Sequence, residues 1–337
     1  MEEVRITRHG VKTLLNKIQP NKVGGPDKIA ARFVKETASE LSGVVAFIYQ
    51  ESYDTGHVPK DWRLAYVSPV FKKGKKCDPA NYRPISLTCI LCKGMEHVMV
   101  SSMMDHLDAH DALANYQHGF RHNRSCESQL LVTTNDIASA LDRRQQTDMA
   151  VLDFSKAFDK VPHQRLLYKL QHYGVSGKNL DWIRGFLSNR HQSVVVDGAM
   201  SSLSEVSSGV PQGSVMGPIL FLIYINDIGW SVNSTVKLFA DDCLVYRTIR
   251  SAEDTLTLQH DLNTLDDWAT KWQMAFNVKK CQMIRITNAR RNIFPGDYFM
   301  GDEMVQWTDS APYLGVLMTK TSMYPQQVPK PATPWGS

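Results

Sequence analysis

The chain has 337 residues, 43% of them hydrophobic and 21% charged, and a formal net charge of +4. These are the proportions of an ordinary globular chain with a sizeable core, in one large domain or two smaller ones. The start, MEEVRITRHG, lacks the apolar stretch of a secretory signal, and the longest apolar run, PILFLIYI at 218–225, is far too short to span a bilayer. An intracellular protein is expected, with nucleus and cytoplasm left open. The mild positive charge permits a polyanionic partner without demanding one.

Residues 29–50 predict a helix, with Ile29, Phe33, Leu41, Val45 and Ile48 spaced among polar positions. GHVPKDW at 56–62 ends it. LAYVSPVF at 64–71 reads as a strand, KKGKK at 72–76 as a basic hairpin tip, and YRPISLT at 82–88 as the returning extended piece. A helical stretch around 90–108 follows. DMAVLDF at 148–154 is a short, nearly all-apolar run that ends on an aspartate, the composition of a strand buried on both faces. Pro162 then stands where a first helical turn tolerates proline, and HQRLLYKLQHYG carries a helical stripe to Gly174.

DWIRGFLSNR reads as a further helix and QSVVVDG as a strand entering a turn. SSGVPQGSVMGPILFLIYINDI is a glycine-rich loop running into an apolar helix. VKLFADDCLVY predicts a hairpin, TLTLQHDLNTLDDWATKWQM an amphipathic helix, and KKCQMIRIT and APYLGVLM late strands. From residue 324 the sequence YPQQVPKPATPWGS reads as a disordered tail. Interleaved helices and strands argue for an α+β fold. No internal repeat is visible.

Cys77, Cys89, Cys92, Cys126, Cys243 and Cys281 are scattered, and a disulfide framework is not expected in so long a chain. Cys89-x-x-Cys92 has the spacing of half a zinc site, but no second pair follows, and buried free thiols are the expected state.

The chemistry is concentrated in LFADDCLVY at 238–246, where two aspartates interrupt an apolar strand pattern. Taken alone, they read as a polar hairpin turn, because Asp tolerates turn backbone angles. Asp153, closing a separate strand, changes that balance. Two strands side by side would bring Asp153, Asp241 and Asp242 to one sheet edge. Clustered carboxylates repel one another and need raised pKa values or bound cations. Magnesium prefers such hard oxygen ligands, and two ions about 4 Å apart can stabilise the attacking and leaving oxygens of an in-line displacement. That is the chemistry of a polymerase or nuclease.

In order, AVLDFSKAFDKV, SSGVPQGSVMGPILF and LFADDCLVY resemble motifs A, B and C of a reverse transcriptase, most closely of the non-LTR (LINE-type) retrotransposon kind. GPDKIAARF near 25, SPVFKKGKKCDPANYRPISLT at 68–88 and QHGFRHNRSCESQL at 117–130 resemble its fingers motifs, and NVKKCQMI and YLGVLM its motifs D and E. Ordered motifs from about 20 to 318 are far more specific than any one match.

The resemblance implies a right-hand polymerase with fingers over 1–125, a palm over 126–320 that the fingers re-enter at about 162–212, and a tail at 321–337. Asp153, Asp241 and Asp242 would bind two magnesium ions, with manganese as the alternative, and the Phe154 carbonyl would add a ligand. Phe158 falls at the steric gate against a ribose 2′-OH, although a core phenylalanine fits the residue type equally well. Gln212 would contact the incoming nucleotide, with Gly209 and Gly213 allowing close backbone approach. Arg83 would hold the triphosphate through its planar fork, assisted by Lys72 or Lys73, with Lys73 preferred. Lys280, or Lys279 beside it, matches the lysine that protonates pyrophosphate. Tyr313, Leu314 and Gly315 would belong to the primer grip. Arg121, Arg124, Arg143 and Arg144 either extend a phosphate-binding track or lie on the surface.

The implied partners are an RNA template, a DNA primer and deoxynucleotides, with no membrane. The family continues into a helical thumb and carries an endonuclease ahead of the fingers, so a piece with the thumb missing or truncated is expected. A weakly active or inert remnant that only binds nucleic acid is the alternative. A viral RNA-dependent RNA polymerase shares the palm logic but needs room where Phe158 stands. Asp54-Thr55-Gly56 matches an aspartic-protease triplet without the flanking strands that chemistry needs. His106 and His110 have zinc-ligand spacing without the glutamate of the zincin motif.

Overall fold

The computed structural model describes residues 1–289 and 293–320, so the tail expected at 321–337 lies outside the described residues. Two compact units divide the chain. One contains Met1–Leu113 and Phe158–Tyr224, the other Ala114–Ala157 and the chain from Ile225 on.

In the first unit, Leu64–Phe71 and Tyr82–Leu87 form an antiparallel hairpin that closes at Phe71 opposite Tyr82, leaving Lys72–Lys76 in the connecting tip. Leu64–Phe71 also pairs in parallel with Arg190–Val196, whose register begins at Leu64 opposite His191. LAYVSPVF, expected as a strand, is one over Leu64–Phe71 to the residue. The expected helix over 29–50 is two helices, Ala31–Glu36 and Ala38–Thr55, because Thr37 leaves helical geometry between them. Gly56 ends the second with φ +67, the left-handed cap that glycine adopts without penalty. Pro162 is the N-cap of His163–His172 rather than a member of its first turn.

Met216–Ile225 is apolar on every side, and its residues from Leu220 to Ile225 have no exposed surface. Such a helix has no solvent face to present and must be enclosed by core. Trp182 and Phe186 of Lys178–Leu187 stack 5.6 Å apart in the same unit, also buried.

The second unit is built on a five-stranded sheet in the order Gln306–Trp307, Gln282–Ile286, Gln146–Leu152, Asp242–Ile249, Thr235–Phe239. Gln146–Leu152 is central, flanked antiparallel on both edges, and all but Val151 of its residues are buried. Cys126–Asp142 packs against it, and Ala252–Lys271 packs against Asp242–Ile249. Met149, Leu244, Tyr246, Ile284, Ile286 and Tyr313 meet in one core cluster with Ile137. Fully burying side chains of this size stabilises a fold by about 1.5–3 kcal/mol each.

One member of the central strand is charged. Asp148 has no exposed surface, and its carboxylate accepts from Arg285 Nε at 2.9 Å and Nη2 at 3.0 Å, from the Tyr298 hydroxyl at 2.9 Å and from Gln146 Nε2 at 2.9 Å. Its lone pairs are thereby satisfied, the condition under which a carboxylate is tolerated inside a sheet.

APYLGVLM is a hairpin of Ser310–Tyr313 and Val316–Thr319 rather than a single strand. Arg8–Asn16 and Cys126–Asp142 are helices that the sequence pattern left unassigned. No helix among the described residues is long and apolar enough to cross a membrane.

Candidate active site

The antiparallel register of Gln146–Leu152 with Asp242–Ile249 ends at Leu152 opposite Cys243. The next residues on the two strands are Asp153 and Asp242, which the ladder therefore sets in line at the same end of the sheet. Opposed residues in such ladders have Cα atoms about 5 Å apart. Asp242 is the first residue of its strand and pairs with Phe239, so the hairpin tip is Ala240–Asp241 and not the two aspartates. Ala240 takes the positive φ, +54, leaving Asp241 in the second turn position. Asp241 thus belongs to the tip and Asp242 to the strand.

Asp153 is tied down from the segment before Gln282–Ile286. Its carbonyl accepts from Asn277 N–H at 2.7 Å, and Ser155 N–H donates to Ala275 at 2.8 Å. Phe154, between them, stacks on Phe276 at 4.3 Å. This bridge uses the backbone of Asp153 and Ser155 and passes over the Phe154 carbonyl. Lys280 Nζ lies 3.7 Å from Asp153 Oδ2, both side chains being substantially exposed, so Lys280 is the lysine of the adjacent pair that meets the carboxylate. The Asp153 N–H donates to Cys281 Sγ at 3.4 Å, and burial pushes that thiol up to about 11, which keeps it neutral beside the carboxylates. Among the described residues, no group of three or more His, Cys, Asp or Glu stands ready to hold a metal ion.

Tyr313, Leu314 and Gly315 lie in this same unit at the turn of the Ser310–Thr319 hairpin, with Leu314 at φ +47 and Gly315 at φ +81. The Tyr313 side chain points into the core, where its hydroxyl accepts from Gln129 Nε2 at 3.0 Å and burial raises its pKa. The surface of this hairpin is therefore its backbone turn, not the tyrosine ring. Arg121 and Arg124 both hold their own loop, donating to Ala114 O at 3.1 Å and to Asn115 Oδ1 at 2.8 Å.

In the other unit, the PQG loop is locked by its backbone. Ser86 N–H donates to Gln212 O at 2.6 Å, Val210 N–H to Phe158 O at 2.8 Å, and Gly209 N–H to Val161 O at 2.8 Å. Gly213 has φ +104, and a Cβ there would stand 2.7 Å from Ser86 O. The Gln212 side chain donates to Asp159 Oδ1 at 3.1 Å. Phe158, partly exposed, stacks on Phe221 at 4.4 Å, which gives the core reading of this ring direct support. Arg83 is exposed opposite Val70 on the hairpin that carries Ser86, and Lys73 is exposed in its tip.

Two residues at these loops escaped the sequence reading. Glu96 is fully buried on Ile90–Ala109, and its Oε2 accepts from Val215 N–H at 2.7 Å and Met216 N–H at 3.0 Å, the first donors of Met216–Ile225. Burial raises its pKa, while those N–H groups and nearby Arg190 pull it down. A lone glutamate in CILCKGMEHVMV was the only signal. Gln117 is the second: buried, it bonds both Gly119 and Ala240. The Cys89 and Cys92 thiols donate to the Asp61 and Trp62 carbonyls, and Asp54 pairs with Lys178. The His106 and His110 rings meet at a tilt, 4.5 Å apart.

Residues 71–318 match the family described as reverse transcriptase (RNA-dependent DNA polymerase). The chain is 30% identical over 334 residues to the RNA-directed DNA polymerase from mobile element jockey of Drosophila funebris, which covers 96% of this chain and 36% of that protein. It is 27% identical over 315 residues to the probable RNA-directed DNA polymerase from transposon X-element of Drosophila melanogaster, covering 91% and 34%. Against the Pol polyprotein of the type-1 retrotransposable element R2 of Popillia japonica, identity is 26% over 245 residues, covering 68% and 33%. The chain spans about a third of the length of these curated relatives.

Proposed function

The chain belongs to the reverse transcriptase (RNA-dependent DNA polymerase) family, and from that premise we propose that it is the RNA-directed DNA polymerase core of a non-LTR retrotransposon protein. In this reading its parts are the fingers and palm of a right-hand polymerase, and the further length of its relatives leaves room for an endonuclease and a thumb. The observation that carries the proposal is the strand register setting Asp153 in line with Asp242, beside the Ala240–Asp241 tip.

Reverse transcriptases use divalent metal ions. The donor set fits them: Asp153, Asp241 and Asp242 offer hard carboxylate oxygens, and the Phe154 carbonyl stands outside the backbone bridge on either side of it. Magnesium is typically held by one or two protein carboxylates together with substrate phosphates, which suits a site that protein side chains alone do not complete. When bound, two such ions would stabilise charge on the attacking and leaving oxygens of the displacement.

The chain's own residues supply binding and positioning. Arg83, with Lys73, neutralises the triphosphate, and Gln212 meets the nucleotide from a loop whose backbone is held by Ser86. Phe158 excludes a ribose 2′-OH. Lys280 holds a proton at Nζ for the departing pyrophosphate while its charge offsets Asp153. The primer 3′-hydroxyl attacks the α-phosphate, and most of the rate enhancement comes from orientation and charge stabilisation. The template–primer duplex is gripped through shape and phosphates, with the exposed Lys72–Lys76 tip among the contacts.

Primer extension by the purified chain on an RNA template, with magnesium and one nucleotide type at a time, tests this. Deoxynucleotide incorporation that Asp241→Ala abolishes is the expected result. Ribonucleotide incorporation would place the chain among RNA polymerases instead, and template binding with no incorporation would identify an inert remnant.

A further inference from the structure

The Ala240–Asp241 tip is held by a side chain that no motif role assigns. Gln117 is 1% exposed. Its Oε1 accepts from Gly119 N–H at 2.7 Å and from Ala240 N–H at 3.0 Å, and its Nε2 reaches the Ala240 carbonyl at 3.4 Å. One planar amide therefore joins two stretches of chain and engages both backbone groups of the residue before Asp241.

The strand edge carries the same attachment further. His118 N–H donates to Leu238 O and Leu238 N–H donates to Tyr116 O, both at 2.8 Å, so Tyr116–His118 runs as an extra edge beside Thr235–Phe239. Gly119 follows with its backbone so close that a Cβ would fall 2.3 Å from Ala240 N. That contact explains the glycine in QHGF without any need for a positive φ. Ala240 itself adopts φ +54, a conformation alanine does not hold unaided. A strained turn persists where its surroundings over-determine it, and Gln117 with Gly119 provides that determination.

The geometry points to Gln117 as a positioning residue: it fixes the Ala240–Asp241 turn so that the Asp241 and Asp242 carboxylates are held in place for divalent-ion binding. Gln117 does not touch the substrate or the ion. It acts through Ala240, by satisfying the N–H that would otherwise be buried and unpaired and by holding the turn in its left-handed form. The inference rests on the polymerase reading for the identity of the ions, and on hydrogen bonds alone for the clamp.

The test uses the full chain, with Gln117→Met as an apolar side chain of similar length and Gln117→Glu as one that keeps the acceptor oxygen. Amide hydrogen exchange reads the clamp directly. Gln117→Met is expected to speed exchange at Ala240 by at least about tenfold, and Gln117→Glu to restore protection. Titration with manganese, followed by electron paramagnetic resonance, is expected to show affinity weakened by about tenfold or more in Gln117→Met. In primer extension kcat falls and the deoxynucleotide KM moves little. Gly119→Ala, which keeps Gln117 but pushes Ala240 away, is expected to change the same readouts and serves if Gln117→Met does not fold. Unchanged Ala240 exchange and manganese affinity in Gln117→Met, or in Gly119→Ala should that variant replace it, would overturn the inference. A wild-type chain that incorporates no nucleotide would defeat the polymerase reading, while Ala240 exchange would still decide the role of Gln117.

Discussion

Glu96 Oε2 accepts a hydrogen bond from the backbone N–H of Met216, 3.0 Å away and entirely inside the core. Through Met216 and Val215 it anchors the start of the apolar helix that follows the PQG loop. Glu96→Ala leaves two buried N–H groups without acceptors and is expected to cost about 2–4 kcal/mol. Glu96→Gln retains an acceptor for both and should cost roughly half of that or less. Urea unfolding of the two variants measures the difference.

Asp148 lies within the central strand and Asp153, five positions on, just past its end, and the two should respond to mutation in opposite ways. Removing the buried Asp148 carboxylate strands Arg285 and Tyr298, and Asp148→Ala is expected to lose about 3–5 kcal/mol of stability. Asp153 has a half-exposed side chain facing Lys280. Asp153→Asn should change stability by no more than about 0.5 kcal/mol. Its incorporation rate should nevertheless fall by more than about a hundredfold, from the loss of a metal ligand. Thermal melts beside primer extension separate the two effects.

Gly213→Ala sets a side chain 2.7 Å from Ser86 O in a backbone with φ +104. The left-handed conformation alone costs an alanine about 1–2 kcal/mol, and the loop must also move off the strand that carries Arg83. A rise in the deoxynucleotide KM that exceeds any fall in kcat is expected from steady-state kinetics.

Phe158 tests the steric gate. With the ring removed in Phe158→Val, ribonucleotide incorporation should rise relative to deoxynucleotide incorporation. The stacking partner Phe221 is left with a gap, at a stability cost of roughly 1–3 kcal/mol. A stability loss with unchanged sugar selection would assign the ring to the core alone. Competition assays with paired nucleotides give the ratio.

His163 donates from Nε2 to the Gly209 carbonyl at 2.8 Å, and burial holds its pKa below the ordinary 6.5. In the unfolded chain it protonates at about that ordinary value, so acidification below 6.5 favours unfolding until the lower folded value is passed. His163→Gln keeps a donor but does not titrate. The gap in melting temperature between wild type and this variant should therefore shift against wild type as pH falls below 6.5, as scanning calorimetry across that range would show.

The elements that sequence reading located best are those whose pattern is local. LAYVSPVF is a strand to the residue, and the hairpins on either side of the Lys72–Lys76 tip and the aspartates follow from short apolar runs flanking polar turns. The break at Thr37 was not legible, because the apolar spacing of residues 29–50 continues across it. The division of labour at the FADD tip was hidden for a similar reason: the turn begins one residue earlier, on an alanine whose backbone angle no propensity anticipates. Glu96 and Gln117 were illegible because their meaning lies in acceptors and donors about 120 residues away in sequence, at separations of 119 and 123. Asp153 and Asp242 could be matched from their neighbours, since apolar strands on either side announce where the ladder runs.

Both units are stitched from stretches made at different times on the ribosome. Arg285, which neutralises the core carboxylate of Asp148, is 137 residues downstream of it. At synthesis rates of roughly 5–20 residues per second, the strand holding Asp148 waits about 7–27 seconds for that neighbour. Until Asp242–Ile249 and then Gln282–Ile286 emerge, its edges are unpaired, the state most prone to self-association.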